Sequence, residues 1–195
     1  APSQDLSINY QQAFGLSKYF YDDTYDKILR LRTLIDNIAT NDADLANLLT
    51  IAVLSTLVPT SLLKKQGDVR YKTEKELKAM PNFDEFLRER INIVAEDLQN
   101  YQYQLQAHQY LACNNAKEIG LVDADRKFSS VITSPPYLNG TNYFRNTKLE
   151  LWFLRQLTTQ RDLRSFRDAV LTSGINDVKL NATKANTISD SLLEQ

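Results

Sequence analysis

From Leu16 onward, apolar residues return at three- and four-residue steps. Tyr21, Tyr25, Ile28, Leu31, Ile35 and Ile38 form one stripe, which predicts an amphipathic helix. Asp22, Asp23 and Asp26 precede Lys27, Arg30 and Arg32, an order that suits the helix dipole. The thirteen residues before this pattern are polar and are expected to be loose. Asn41 or Asp42 is placed to cap a second helix. That segment, Leu45 to Val58, is apolar on nearly every side, predicting a buried central helix that Pro59 ends. Thr60 to Pro81 is a lysine-rich connection with Gly67 as a turn. Asn82 then caps a long helix whose stripe is Phe83, Leu87, Ile91, Val94, Leu98, Tyr101 and Leu105.

The period changes near Gln109. Tyr110 to Cys113 and Phe128 to Thr133 are short strand candidates, joined through Asn114 to Ile119 and a turn at Gly120 and Asp123 to Asp125. Two short strands linked by a helical turn suit a parallel α/β sheet. The second run stops at Thr133-Ser134-Pro135-Pro136-Tyr137. Neither proline donates to a ladder, and Pro136 biases Pro135 toward extended backbone. The strand is therefore expected to end at Ser134, with Tyr137 carried out from its C-terminal edge, where ligands collect in open α/β sheets. Asn146 to Gln156 reads as a helix bearing Leu149, Trp152 and Phe153, and Arg161 to Leu171 as another. The last twenty residues are polar without a clear period. The expected division is a helical region at 1–108, a partial α/β region at 109–175 and a polar tail at 176–195.

Thr133 to Tyr137 resembles the [DNS]-P-P-[YFW] motif of DNA amino-methyltransferases, which methylate N4 of cytosine or N6 of adenine from S-adenosylmethionine. Lys127 to Ile132 resembles the strand that delivers this motif, and Leu138 to Trp152 resembles its usual continuation. The close match covers about 25 residues, and a looser similarity runs from about Tyr19 to Asn176. The resemblance implies an α/β chain, mostly helical, in which an N-terminal helical region precedes part of a Rossmann-like methyltransferase sheet. It implies catalytic roles for Ser134, Pro135, Pro136 and Tyr137. Ser134 Oγ and the Pro135 carbonyl would accept the two amino hydrogens, favouring a tetrahedral nitrogen. Tyr137 would stack on a base flipped from the duplex. Serine in the motif leans toward N4-cytosine. Asn115 and Thr133 are the implied cofactor contacts, with Asn115 standing where aspartate is common.

The charge pattern agrees in place, if not in total. The net charge is −1, which argues against a chain coated in nucleic-acid-binding surface. Between Arg145 and Asp168, however, six basic residues face three acidic ones, directly after the motif. Arg145, Lys148, Arg164 and Arg167 are the candidate contacts to a phosphate backbone. Tyr101, Tyr103 and Tyr110 read first as helix core and rim, with base stacking as the alternative.

Absences narrow the reading further. Only five glycines occur, where about 7 % of residues is usual, and none forms a G-x-G. The family's glycine-rich cofactor loop, and the acidic residue for the ribose that follows it, therefore have no counterpart here. The chain starts at Ala1 and ends before the remaining strands of a seven-stranded sheet, so a fragment, a split subunit or a degenerate copy is expected. Such a chain would transfer a methyl group only with a second chain or segment carrying the glycine loop, in the setting of restriction-modification and DNA methylation. The competing reading is a non-catalytic helical DNA-binding or interaction module derived from such an enzyme. One cysteine, Cys113, and one histidine, His108, make neither a disulfide nor a zinc site. No apolar run approaches the roughly 18–20 residues of a bilayer span, and the first ten residues carry no signal-peptide pattern. A cytoplasmic protein with no metal and no membrane partner is expected.

Overall fold

The computed structural model describes residues 1–100, 130, 132 and 143–169. The chain divides into two compact units, Ala1–Tyr110 with Asn142–Arg167, and Leu111–Thr141 with Asp168–Gln195. The first unit is mostly helical and carries a two-stranded antiparallel sheet.

It opens with α1 (Gln4–Phe14), where loose chain was expected. The segment is polar on average, but Leu6, Tyr10, Ala13 and Phe14 fall on one side and all four are buried. Four residues on one face are enough when other helices cover them, because tertiary packing and not propensity holds most short helices. Gly15 ends α1 at φ +60° and ψ −127°, with its N–H bonded to the Gln11 carbonyl at 2.9 Å. Leu16 is fully exposed, and the stripe forms a helix only from α2 (Asp22–Ala39). Ile28, Leu29 and Ile35 are its buried apolar residues.

Asp42, of the two cap candidates, is the one that acts: its carboxylate accepts the Leu45 N–H at 2.9 Å and starts α3 (Ala43–Leu57). Ala46, Ala52, Val53 and Leu57 are buried, but Leu45 (44 % exposed) and Ile51 (57 %) are not. The expectation of burial on all sides fails here because α2 and α5 (Phe83–Asn100) cover only part of the helix. Asn82 caps α5 as expected, with its side-chain oxygen accepting from Asp84 N–H at 3.0 Å and Glu85 N–H at 3.2 Å. The expected continuation of this stripe through Tyr101 and Leu105 lies outside the described residues.

The lysine-rich connection is itself structured. β1 (Leu63–Gln66) pairs antiparallel with β2 (Asp68–Tyr71), with Gly67 at φ +74° between them. A short α4 (Glu74–Lys78) follows behind a Thr73–Glu76 capping box. The Glu76 carboxyl also accepts from Arg70 and Lys64, and these bonds hold it well below the usual carboxylate range. The hairpin is tied to the helices through Leu62 N–H to the Tyr19 carbonyl at 2.7 Å and Lys72 Nζ to the Pro59 and Ser61 carbonyls.

The helix expected over Asn146–Gln156 divides into α6 (Tyr143–Asn146) and α7 (Lys148–Phe153). Leu149, Trp152 and Phe153 are buried, as their spacing predicts. Trp152 is the centre of the core. Its ring meets Tyr10, Tyr25 and Phe20 at centroid distances of 5.1, 6.1 and 6.1 Å. Its indole N–H donates to the Leu6 carbonyl at 2.9 Å. The helix stops short because Arg155 turns left-handed at φ +60°. Its guanidinium there reaches Asp5 at 2.5 Å and Asp36 at 2.6 Å. α8 (Gln160–Ala169) ends the described chain, its start held by Asp162, which accepts the N–H groups of Thr158 and Thr159 at 2.7 Å each.

Of the expected strand at Phe128–Thr133, Ser130 and Ile132 are described, and neither lies in a strand. Ile132 is 98 % exposed, which is not the environment of a buried strand residue. Apolar runs of this length do not by themselves distinguish a strand from other structure, and that ambiguity defeats the expectation at Ile132. The Tyr110–Cys113 strand candidate lies outside the described residues. Among those residues the only strands form the antiparallel hairpin, so the expected parallel sheet has no described counterpart.

Candidate nucleic-acid interface

Ser134, Pro135, Pro136, Tyr137, Asn115 and Thr133 lie outside the described residues. The site that can be built atom by atom is the one immediately downstream, where Arg145 and Lys148 were expected to meet a phosphate backbone.

Both side chains line one cleft of about 400 Å³ in the first unit. The segment after α1 supplies Ser17 and Tyr19 to the wall, β2 supplies Asp68, and α8 supplies Gln160. The volume falls in the range of small-ligand pockets, about 300–1,000 Å³. Tyr19 is buried, and its ring is held edge-on by Phe14 at 5.0 Å and Tyr10 at 6.2 Å. Its backbone N–H donates to the Tyr10 hydroxyl at 2.9 Å, fixing the start of the segment as well. Over this fixed ring stands the Lys148 ammonium, 4.0 Å from the centroid. A cation–π contact of this kind stabilises by about 0.5–1 kcal/mol at exposed sites.

Arg145 sits on the rim, 59 % exposed. It touches Asp68 Oδ2 at 3.4 Å, and Asp68 is itself 56 % exposed. An exposed pair at that distance is worth at most about 1 kcal/mol. The next residue, Asn146, donates through Nδ2 to the Gly67 carbonyl at 2.9 Å, and Glu150 accepts from Lys65 at 2.7 Å. Three contacts thus run from the hairpin to α6 and α7, placing the two cations against the cleft. Among the described residues, Asp68 is the one carboxylate in the cleft wall.

The other basic residues sort by partner. Arg155 does not face a ligand: Asp5 and Asp36 hold it, and they push its guanidinium even further toward the charged form. Reciprocally, the bond from Arg155 holds the Asp5 carboxyl well below the usual range. Burial raises Asp36, but bonds from Arg155 and Arg32 outweigh it and the net direction is down. Arg164 is exposed on α8, four residues beyond Gln160 and therefore on the same side of the helix. Arg161 is exposed as well. Arg167 belongs to α8, and its side chain lies outside the described set. Of the four residues expected at a phosphate backbone, two therefore share the cleft and one flanks it.

Sequence reasoning missed Tyr19, Ser17, Asp68 and Gln160 as companions of Lys148. They come from three separate stretches, the segment after α1, β2 and the start of α8, and no local spacing joins these. The Thr73-x-x-Glu76 box did carry a readable signal for α4. Among the described residues no three or more histidine, cysteine or acidic side chains cluster to hold a metal, and no helix is long and apolar enough to cross a membrane.

Comparison of the chain with family models, with curated proteins and with solved structures finds no match.

Proposed function

We propose that this chain is the catalytic-motif portion of a site-specific DNA methyltransferase acting on an exocyclic base amine, with N4 of cytosine favoured over N6 of adenine. One observation carries the reading: Thr133-Ser134-Pro135-Pro136-Tyr137 runs directly into Leu138–Trp152, so motif and continuation occur together. The amine to be methylated is a poor nucleophile, because its lone pair is delocalised into the ring. Ser134 Oγ and the Pro135 carbonyl accept its two hydrogens and favour a tetrahedral nitrogen, while Tyr137 stacks on the extruded base. A serine hydroxyl is a weak base, so Ser134 orients the amine and the proton leaves during or after transfer. The two cations of the cleft, Arg145 and Lys148, which follow the motif in the sequence, support contact with a nucleic-acid backbone.

S-Adenosylmethionine would supply an electrophilic methyl group. Asn115 and Thr133 are the candidate contacts to it, but the chain does not complete its seat. Five glycines without a single G-x-G provide no loop of the kind that lets backbone approach such a cofactor. The reading therefore includes a second chain or segment that carries the glycine loop. Calorimetric titration of this chain alone with S-adenosylmethionine is expected to give no heat of binding, and tight binding would refute the missing-seat part. Co-expression with the products of neighbouring genes, followed by an assay of methyl transfer to DNA, tests the rest. Ser134→Ala and Tyr137→Ala are expected to abolish transfer, and full activity in both variants would sink the catalytic assignment.

A second reading has its own support. The first unit closes a core around Trp152 with residues from both sides of the motif, as a scaffold would. A helical DNA-binding module derived from such an enzyme would bind DNA equally well with Ser134 and Tyr137 replaced, and no partner would restore transfer.

A further inference from the structure

The cleft described above has a specific chemistry. One wall is a fixed aromatic plate, Tyr19, with an ammonium above it. Lys148 has no carboxylate partner among the described residues, and its position over the ring restricts it before any ligand arrives. On the rim Arg145 is held only by a 3.4 Å contact to an exposed carboxylate. Ser17 and Gln160 add neutral hydrogen-bonding groups to the same wall. Among the described residues the wall sets two cations against one loosely engaged carboxylate, with neutral polar groups beside them, which suits an anion with several acceptor oxygens. A phosphodiester has that character: the guanidinium takes two oxygens in a fork and the ammonium takes one as a point charge.

We propose that this cleft seats one phosphodiester of a nucleic-acid backbone, bound by Lys148 and Arg145 in place of the Arg145–Asp68 contact. The proposal rests on the DNA reading above and adds to it the place, the residues and the competing group. Asp68 is a built-in competitor, since it occupies Arg145 when no phosphate is present. Arg164 is exposed on the same side of α8 as Gln160, one turn away.

The test measures binding of the whole chain to a fluorescein-labelled duplex of arbitrary sequence by anisotropy, at several chloride concentrations. Each phosphate neutralised contributes about 0.9 to the slope of log affinity against log salt on B-form DNA. Lys148→Gln with Arg145→Gln is expected to weaken binding and to lower that slope by about 0.9. Asp68→Asn is expected to tighten binding, a gain that a misfolded variant would not imitate. If the wild type binds, and both the double variant and Asp68→Asn match it in affinity and slope, the seat is refuted and the DNA reading stands. If the wild type binds no duplex at the lowest salt, the DNA reading falls and the seat falls with it.

Discussion

Trp152 is the only tryptophan in the chain, and it is fully buried. Its replacement tests whether the segment after the motif is locked to the N-terminal helix. A buried tryptophan removes roughly 150–250 Å² from water. At about 25 cal/mol per Å² that is about 4–6 kcal/mol, and a compact denatured state lowers it by roughly 10–40 %. Trp152→Ala is therefore expected to cost about 3–5 kcal/mol, in line with large-to-small aromatic truncations. Trp152→Phe keeps most of the ring contacts with Tyr10, Tyr25 and Phe20 but removes the indole N–H. The Leu6 carbonyl then loses its 2.9 Å indole donor while keeping its place in the α1 ladder, at a cost of about 0.5–1.5 kcal/mol. Urea denaturation followed by far-ultraviolet circular dichroism measures both variants. In the wild type the same residue is a single-site reporter, whose emission should be blue-shifted and shielded from acrylamide until the transition. A Trp152→Phe variant within 0.3 kcal/mol of wild type, or emission like that of free indole in the folded protein, would refute the placement of Trp152 at the centre of the core.

Arg155 offers a ranking instead of a single value. Its left-handed backbone costs roughly 1–2 kcal/mol for any residue with a Cβ, and its guanidinium binds Asp5 and Asp36. Arg155→Ala loses both ion pairs and keeps the strain, whereas Arg155→Gly loses the pairs and relieves it. Glycine is thus expected to be the milder change by about 1 kcal/mol in thermal or urea unfolding, and alanine as the milder one would contradict the geometry. Both carboxyls have folded pKa values below their unfolded ones, so their contribution is present above about pH 4 and is lost as pH falls through the folded values. The stability gap between wild type and Arg155→Gly should accordingly narrow below about pH 4. Gly15→Ala meets no atom within 4 Å, so its cost is backbone alone, about 1–3 kcal/mol for φ +60° with ψ −127°; an unchanged melting temperature would count against that turn. Asp42→Ala removes the only side-chain cap of α3 and should cost about 1 kcal/mol by urea unfolding, with Asp42→Asn close to neutral.

What the sequence made legible follows from how far each signal reaches. The Asp42 and Asn82 caps, the Gly67 turn and the stripe of α2 are set by residues within a turn or two of one another. They could be read directly. The start of the chain could not, because Leu6, Tyr10, Ala13 and Phe14 become a helix face only when Trp152, 146 residues away from Leu6, closes over them. The hairpin was hidden for a different reason. Its cross-strand partners Leu63–Tyr71 and Lys65–Val69 pair one apolar residue with an aromatic and one cation with a valine. Clean alternation of apolar and polar residues is absent, and Tyr19 and Glu150, not the local pattern, decide which side faces inward. Even the excess charge after the motif was legible only as a sum. Nothing in the string separates Arg155, consumed by two carboxylates, from Lys148, which meets none among the described residues.

That separation links the core to the proposed phosphate seat. Lys148 stands one turn before Trp152 on α7, and both side chains end on the same group of rings. Tyr10 touches Trp152 at 5.1 Å and Tyr19 at 6.2 Å, and Tyr19 carries the ammonium. Burying Trp152 therefore also fixes the plate beneath Lys148. The hairpin contacts at Asn146 and Glu150 keep α6 and α7 from turning about that anchor. Lys148 is thus positioned by the packing of the core, while Arg145 stays on the rim with Asp68. At the proposed seat Lys148 would therefore lose little freedom on contact, whereas the exposed Arg145 would still have to be ordered. A charge-preserving exchange such as Lys148→Arg should for the same reason be poorly tolerated. The longer planar group would cover Tyr19 differently and move the cation, although the net charge is unchanged.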